Sequence, residues 1–170
     1  MADESLEQVL NKWGEEQVAE AVLLLEQSNV SNTGNLAKSL RFEVQEVAEG
    51  LMLTIYQADY GDFVLKGVRG SQSSAKAPKS PFSFRDKMPP VAPLDRWAVK
   101  KGISGTRDSK GRFIKRKSLV FLIRRSIFRF GLSPFNYLSP FFKNINDLQG
   151  KITEQQKREI LLLLQKAFND

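Results

Sequence analysis

A chain of 170 residues, 41% apolar and 26% charged, has the size and make-up of one globular domain with a sizeable core. It contains no cysteine and no histidine, which excludes disulfides, thiolate nucleophiles, Cys/His zinc sites and Ser-His-Asp triads. The net charge of +7 is unevenly spread: Lys66 to Arg129 hold eighteen Lys/Arg against three acids, a net +15, and the remainder is net −8. Such asymmetry points to a polyanion partner, or to a neighbouring subunit that meets basic surface with acidic surface.

No apolar run approaches the roughly 20 residues needed to span a bilayer, so no membrane partner is expected. The opening MADESLEQ is acidic and polar, neither a secretory signal nor a basic transit peptide. The glycines fit neither GxxxxGK[ST] nor GxGxxG, and there is no HExxH. The expectation is a protein that is not an enzyme, with no catalytic, cofactor or metal residues.

Ser5 to Gln27 reads as an amphipathic helix, opened by a Ser5–Gln8 capping box. Leu6, Leu10, Trp13, Ala21 and Leu24 form its apolar stripe, with Val18, Val22 and Leu25 beside it. SNVSNTGN breaks it. Alternation then predicts a strand with Leu40, Phe42 and Val44 on one face and Arg41, Glu43 and Gln45 on the other. LMLTIYQ predicts its hairpin partner, and the first helix covers the apolar face. Tyr60, Phe63, Val64 and Gly67 have the spacing of a short helix closing onto that sheet.

The basic stretch follows. SQSSAKAPKSP reads as a mobile loop or extended arm, and FSFRDKMPP as an edge strand stopped by prolines. PLDRWAVKKG is a compact helix with Pro93 at its start and Gly102 past its end. GTRDSKGRFIKRK carries six basic residues and one acid, and its glycines and Asp108 predict a two-stranded finger. SLVFLIRRSIFRFG is a helix capped by Ser118 and ended by Gly131. Leu119, Val120, Ile123, Ile127 and Phe130 line its apolar face, and Phe121 and Phe128 stand among Arg124, Arg125 and Arg129 on the other. Phenylalanine beside arginine is the composition of an interface. LSPFNYLSPFFKNI is read as non-helical, with Phe135, Tyr137, Phe141 and Phe142 as further contact anchors. TEQQKREILLLLQKAF is a last helix with a capping box from Thr153 to Gln156.

The fold class expected is therefore α+β: an N-terminal amphipathic helix on a small antiparallel sheet, an inserted basic helical and loop region, and a C-terminal helix. Residues 1–67 form the helix and hairpin core, 68–131 the basic insertion, and 132–170 an aromatic loop and helix that complete the same single domain.

Thr33-Gly34-Asn35-Leu36-Ala37-Lys38-Ser39-Leu40, a turn leading into a strand, and Asp59-Tyr60-Gly61-Asp62-Phe63-Val64-Leu65-Lys66-Gly67 after the hairpin stand in a telling order. Behind an N-terminal helix they resemble the head–tail connector family of tailed bacteriophages, the neck or tail-completion proteins, with T-G-x-L-x-x-S-[IL] followed by Y-A-x-[YF]-V-E-x-G. Gly61 and Leu65 stand where the family usually has Ala and Glu. Thr33, Gly34, Leu36, Tyr60, Phe63 and Gly67 carry the fold motif; Tyr60 and Phe63 are expected to supply apolar area to the sheet.

The resemblance implies a structural virion protein, a homo-oligomer in a ring that extends the portal DNA channel and docks the tail or the next ring. Its partners would be other copies of itself, the portal protein and adjoining neck or tail proteins, with packaged DNA as a transient contact. It would reside in the virion at the head–tail interface, and in the host cytoplasm during assembly. Phe121, Arg124, Arg125, Phe128 and Arg129, with the anchors named above, would meet a subunit or the portal. The finger's Arg107, Lys110, Arg112, Lys115, Arg116 and Lys117 are open to three readings: a solvated loop, contact with acidic subunit surface, or contact with the DNA backbone. The alternative function is that of a free-standing, sequence-independent nucleic-acid-binding protein, with Phe113, Phe121 and Phe128 stacking on bases.

Overall fold

The computed structural model describes residues 5–28, 33–47 and 50–154. In chain order the elements are α1 (Leu6–Gln27), α2 (Asn35–Ser39), β1 (Arg41–Val47), β2 (Gly50–Tyr56), α3 (Gly61–Lys66), α4 (Val91–Lys100), β3 (Thr106–Arg107), β4 (Phe113–Ile114), α5 (Arg116–Phe130) and α6 (Ser139–Lys143). Residues 145–154 are also helical. The chain is α+β, with its N-terminal helix packed on a two-stranded antiparallel sheet. Contacts group it into two compact units, Met1–Ala58 with Tyr137–Asp170, and Asp59–Asn136.

In the first unit, the Ser5 backbone N–H donates to Gln8 Oε1 at 2.8 Å and the Gln8 N–H returns to Ser5 Oγ at 3.3 Å. This is the capping box, satisfying two amides that the first helical turn leaves without partners. The buried face of α1 runs through Leu10, Trp13, Gln17, Ala21 and Leu25, with Val9 and Gly14 beside it. Leu24, expected in the stripe, is exposed, whereas Gln17 is buried at a position where polarity argued against burial. Gln17 is satisfied by Asn144, whose Nδ2 donates to its Oε1 at 2.6 Å. Gly14 lets the sheet approach, since a Cβ there would fall 2.6 Å from the Phe42 ring.

β1 and β2 pair with Phe42 opposite Ile55 and Val44 opposite Leu53, so one face gathers the apolar residues and the other Arg41, Glu43 and Gln45. A lone hairpin is marginal in water, and α1 supplies the cover. The turn at Thr33-Gly34 does not run straight into the strand: α2 intervenes, because Gly34, at φ 72°, opens one helical turn. Thr33 Oγ1 accepts the Asn35 N–H at 3.4 Å.

SPFFK is helical, a correction to the non-helical reading; Pro140 lies in its first turn, where a missing N–H costs nothing. It carries Phe141 against Trp13, edge to face at 5.7 Å. Thr153 is not a helix cap: its hydroxyl donates to the Gln149 carbonyl at 2.8 Å, one turn back in a helix already under way. The remainder of the expected last helix, from residue 155, lies outside the described residues.

Candidate functional site

The basic segment belongs to the second unit. Here α4 packs on α5 around Ala98 and Val120, both almost wholly enclosed. α4 begins two residues ahead of Pro93 and ends before Gly102, whose φ of 68° suits the residue past a helix end. α5 begins at Arg116, so Ser118 is no cap: Lys115 holds that place, and no side chain closes the turn. Arg116 is tied to Asp95 of α4 at 3.1 Å.

The serine-rich stretch is not an arm. Its Ser71 N–H donates to the Phe128 carbonyl at 2.8 Å, and the Gln72 and Ser73 N–H groups to Arg129 at 3.0 and 3.2 Å. These are carbonyls that a helix end leaves without intrahelical donors. Val68 and Leu132 exchange backbone hydrogen bonds, and Arg69 pairs in parallel with Ser83 as an isolated bridge, so FSFRDKMPP does not form the expected edge strand. Ser80 is buried and donates to the Gly67 carbonyl at 2.7 Å. The crossing demands glycine: a Cβ on Gly70 would lie 2.0 Å from Arg129 O, and one on Gly131 2.1 Å from Val68 O.

The finger forms as read. Thr106 pairs with Ile114 and Arg107 with Phe113. Asp108 organises the tip, its Oδ1 accepting the Arg112 and Lys110 N–H groups at 2.8 and 2.9 Å and its Oδ2 the Arg112 Nε at 2.8 Å. These donors hold the Asp108 carboxyl below the usual carboxylate range, the Arg112 N–H first. Arg107 folds back on the Gly111 carbonyl at 2.7 Å. Three of the six cations, Arg107, Arg112 and Arg116, are thus engaged within the chain; Lys110, Lys115 and Lys117 are exposed.

The residues expected at an interface divide. Phe121 is 50% exposed, and Arg125 is exposed one turn further on. Leu122, 50% exposed beside them, was not singled out in the sequence, where an isolated leucine next to an apolar stripe reads as core. Phe128 is half-buried and tilts against Phe84 at 6.2 Å. Arg124 and Arg129 are half-buried, and Arg124 Nε donates to the Pro89 carbonyl. Phe135 is half-buried, and its N–H donates to Val64 O at 2.9 Å. In the other unit Tyr137 and Phe141 are core residues, with Tyr137 donating its hydroxyl to Gln57, whereas Phe142 is 69% exposed. Tyr137 and Phe141 therefore offer no surface to a partner.

Phe130, expected in the buried stripe, is exposed; the stripe at Leu119, Ile123 and Ile127 is half-buried and only Val120 is closed off. Of the fold-motif residues, Leu36 is buried, Gly67 ends α3 at φ 70°, and Tyr60 and Phe63 are exposed. Phe63 has Phe82 as its ring neighbour, at 4.4 Å.

Among the described residues no cluster of three or more Asp/Glu could hold a metal ion, and no helix is long and apolar enough to cross a membrane. Comparisons with protein-family models, with curated proteins and with solved structures return no match.

Proposed function

We propose that this chain is a structural virion protein of a tailed phage, assembling as a ring in the head–tail connector, where it extends the portal channel and docks the tail or the next ring. The observation that carries the reading is the α5 patch of Phe121, Leu122 and Arg125, two large apolar side chains and a cation exposed together. An aromatic and an arginine on one face are what protein contacts select, and water is a poor partner for either ring or leucine. A closed ring needs two different faces that fit each other. The exposed Glu7, Glu15, Glu20 and Glu26 of α1 supply acidic surface for the second. The order of the Thr33–Leu40 and Asp59–Gly67 motifs behind α1 supports the same reading.

Portal, neck and tail proteins would be the partners, in the virion and, before that, in the host cytoplasm. A second reading, sequence-independent binding of nucleic acid, is favoured by Phe113, 64% exposed between the finger's cations, where a base could stack. Electron microscopy of the purified protein, alone and with portal rings, tests the first. Closed rings of this protein, formed alone or added onto the portal rings, support it. A monomer that ignores portals but binds random DNA with a steep salt dependence favours the second.

A further inference from the structure

One face of the finger sets an aromatic ring between two cations. Arg107 pairs with Phe113 across the two strands, so their side chains share a face. Lys115 is still extended, at φ −63° and ψ 147°, and alternation puts it on that same face. The half-buried Ile114 between them turns the other way.

A glycine fixes the place of the ring. A Cβ on Gly105 would fall 2.3 Å from Phe113 Cζ and 2.7 Å from Cε2, so the ring rests where a side chain at 105 would stand. Backed by that backbone, Phe113 is still 64% exposed. The strand pairing and the Asp108 tip order the finger in advance, so little entropy is lost when the ring is covered. Charge on this face is of one sign. Asp108 is the finger's one acid, and its carboxylate is taken up by the Arg112 side chain and the Lys110 and Arg112 amides. Arg107 gives one guanidinium N–H to the Gly111 carbonyl and keeps the rest of its fork. Lys115 is exposed.

A protein partner suits this ring poorly. A contact anchor needs apolar surface around it to shut out water, as Leu122 supplies beside Phe121 on α5. Phe113 has cations there instead. A nucleotide suits it well, because a base offers the ring a π face and its flanking phosphates meet Arg107 and Lys115. In a duplex the neighbouring pairs already cover both faces of each base, and unstacking one is costly. A single strand carries no such cost. We infer that this face of the finger is a platform for single-stranded nucleic acid, on which Phe113 stacks a base while Arg107 and Lys115 hold the backbone, without regard to sequence. The inference rests on the nucleic-acid reading of the finger and does not depend on the ring.

The test is fluorescence anisotropy of the full chain with labelled oligothymidine of about 12 nucleotides and with a duplex of equal length, each across a salt series. Oligothymidine should bind more tightly than duplex. Phe113 is exposed, so Phe113→Ala should fold; it should weaken oligothymidine binding about tenfold or more with the salt slope unchanged, because the phosphate contacts remain. Phe113→Tyr keeps a ring and should bind as the wild type does. Lys115→Ala should flatten the slope by about 0.7. Phe113→Ala that binds oligothymidine like the wild type, or a duplex bound as tightly as the single strand, would overturn the inference and leave the nucleic-acid reading standing. Failure to bind either probe would overturn both.

Discussion

Asn144 donates its side-chain amide to Gln17 Oε1 at 2.6 Å, joining the end of α6 to the middle of α1 across 127 positions of chain. Gln17 is 2% exposed, so this is the bond that permits an amide in the core of α1.

Removing one partner should cost more than removing the other. Asn144→Ala strands the buried Gln17 amide and should destabilise by about 1–3 kcal/mol. Gln17→Leu leaves only the half-buried Asn144 to find water, and should cost less. Urea denaturation of both variants checks the order, and equal losses would contradict it.

Gly131 and Gly111 should respond differently to the same change. Both have positive φ, 77° and 76°. Gly131 also has ψ −170°, a region open to glycine alone, and a Cβ there would meet Val68 O at 2.1 Å, whereas the space around Gly111 is empty. Gly131→Ala should cost about 3 kcal/mol or more, against about 1 kcal/mol for Gly111→Ala. Thermal melts of the two variants decide it.

The finger should be sensitive to acid. Asp108 is held below its ordinary value by the Arg112 N–H first, against an upward push from desolvation, and further by the Arg112 side chain and the Lys110 N–H. A carboxyl whose pKa is depressed by folding stabilises the folded finger above its unfolded pKa, and that gain disappears as pH falls through the folded value. Protection of the Arg112 amide from exchange, taken relative to its intrinsic rate at each pH, should therefore fall below about pH 4, the ordinary carboxylate range. In Asp108→Ala that amide should be unprotected at every pH, with protection elsewhere in the molecule unchanged.

Neighbouring arginines on α5 should separate folding from contact. Arg124 is half-buried and donates to the Pro89 carbonyl, so Arg124→Ala should lower stability by about 1 kcal/mol. Arg125 is exposed, and Arg125→Glu should leave stability within about 0.5 kcal/mol. Chemical denaturation of the two variants distinguishes the roles.

What was legible in the sequence follows the range of the interactions involved. The Ser5–Gln8 box, the alternation of Phe42 and Val44 and the Asp108–Gly111 turn are written within a few residues, and each forms as read. The burial of Gln17 was not legible, because its partner stands 127 positions away. Nor was the fastening of Ser71 to Ser73, since the acceptors are backbone carbonyls at Phe128 and Arg129, which carry no side-chain signal. Thr153 and Ser118 have the residue types of caps, yet their helices begin earlier, at residue 145 and at Arg116. At the candidate surface, Phe121 and Arg125 were legible from the helical wheel. The withdrawal of Phe128 was not, because Phe84 comes from a loop whose course only the folded chain reveals.

Sedimentation velocity of the wild type and of Phe121→Asp/Arg125→Glu, across a wide concentration range and with purified portal rings, bears most directly on the α5 surface. The account predicts that the wild type self-associates or binds the ring, and that the variant, folded by circular dichroism, stays a free monomer in both. A wild type that remains monomeric at every concentration and passes the portal by, or a variant that assembles as the wild type does, would contradict it.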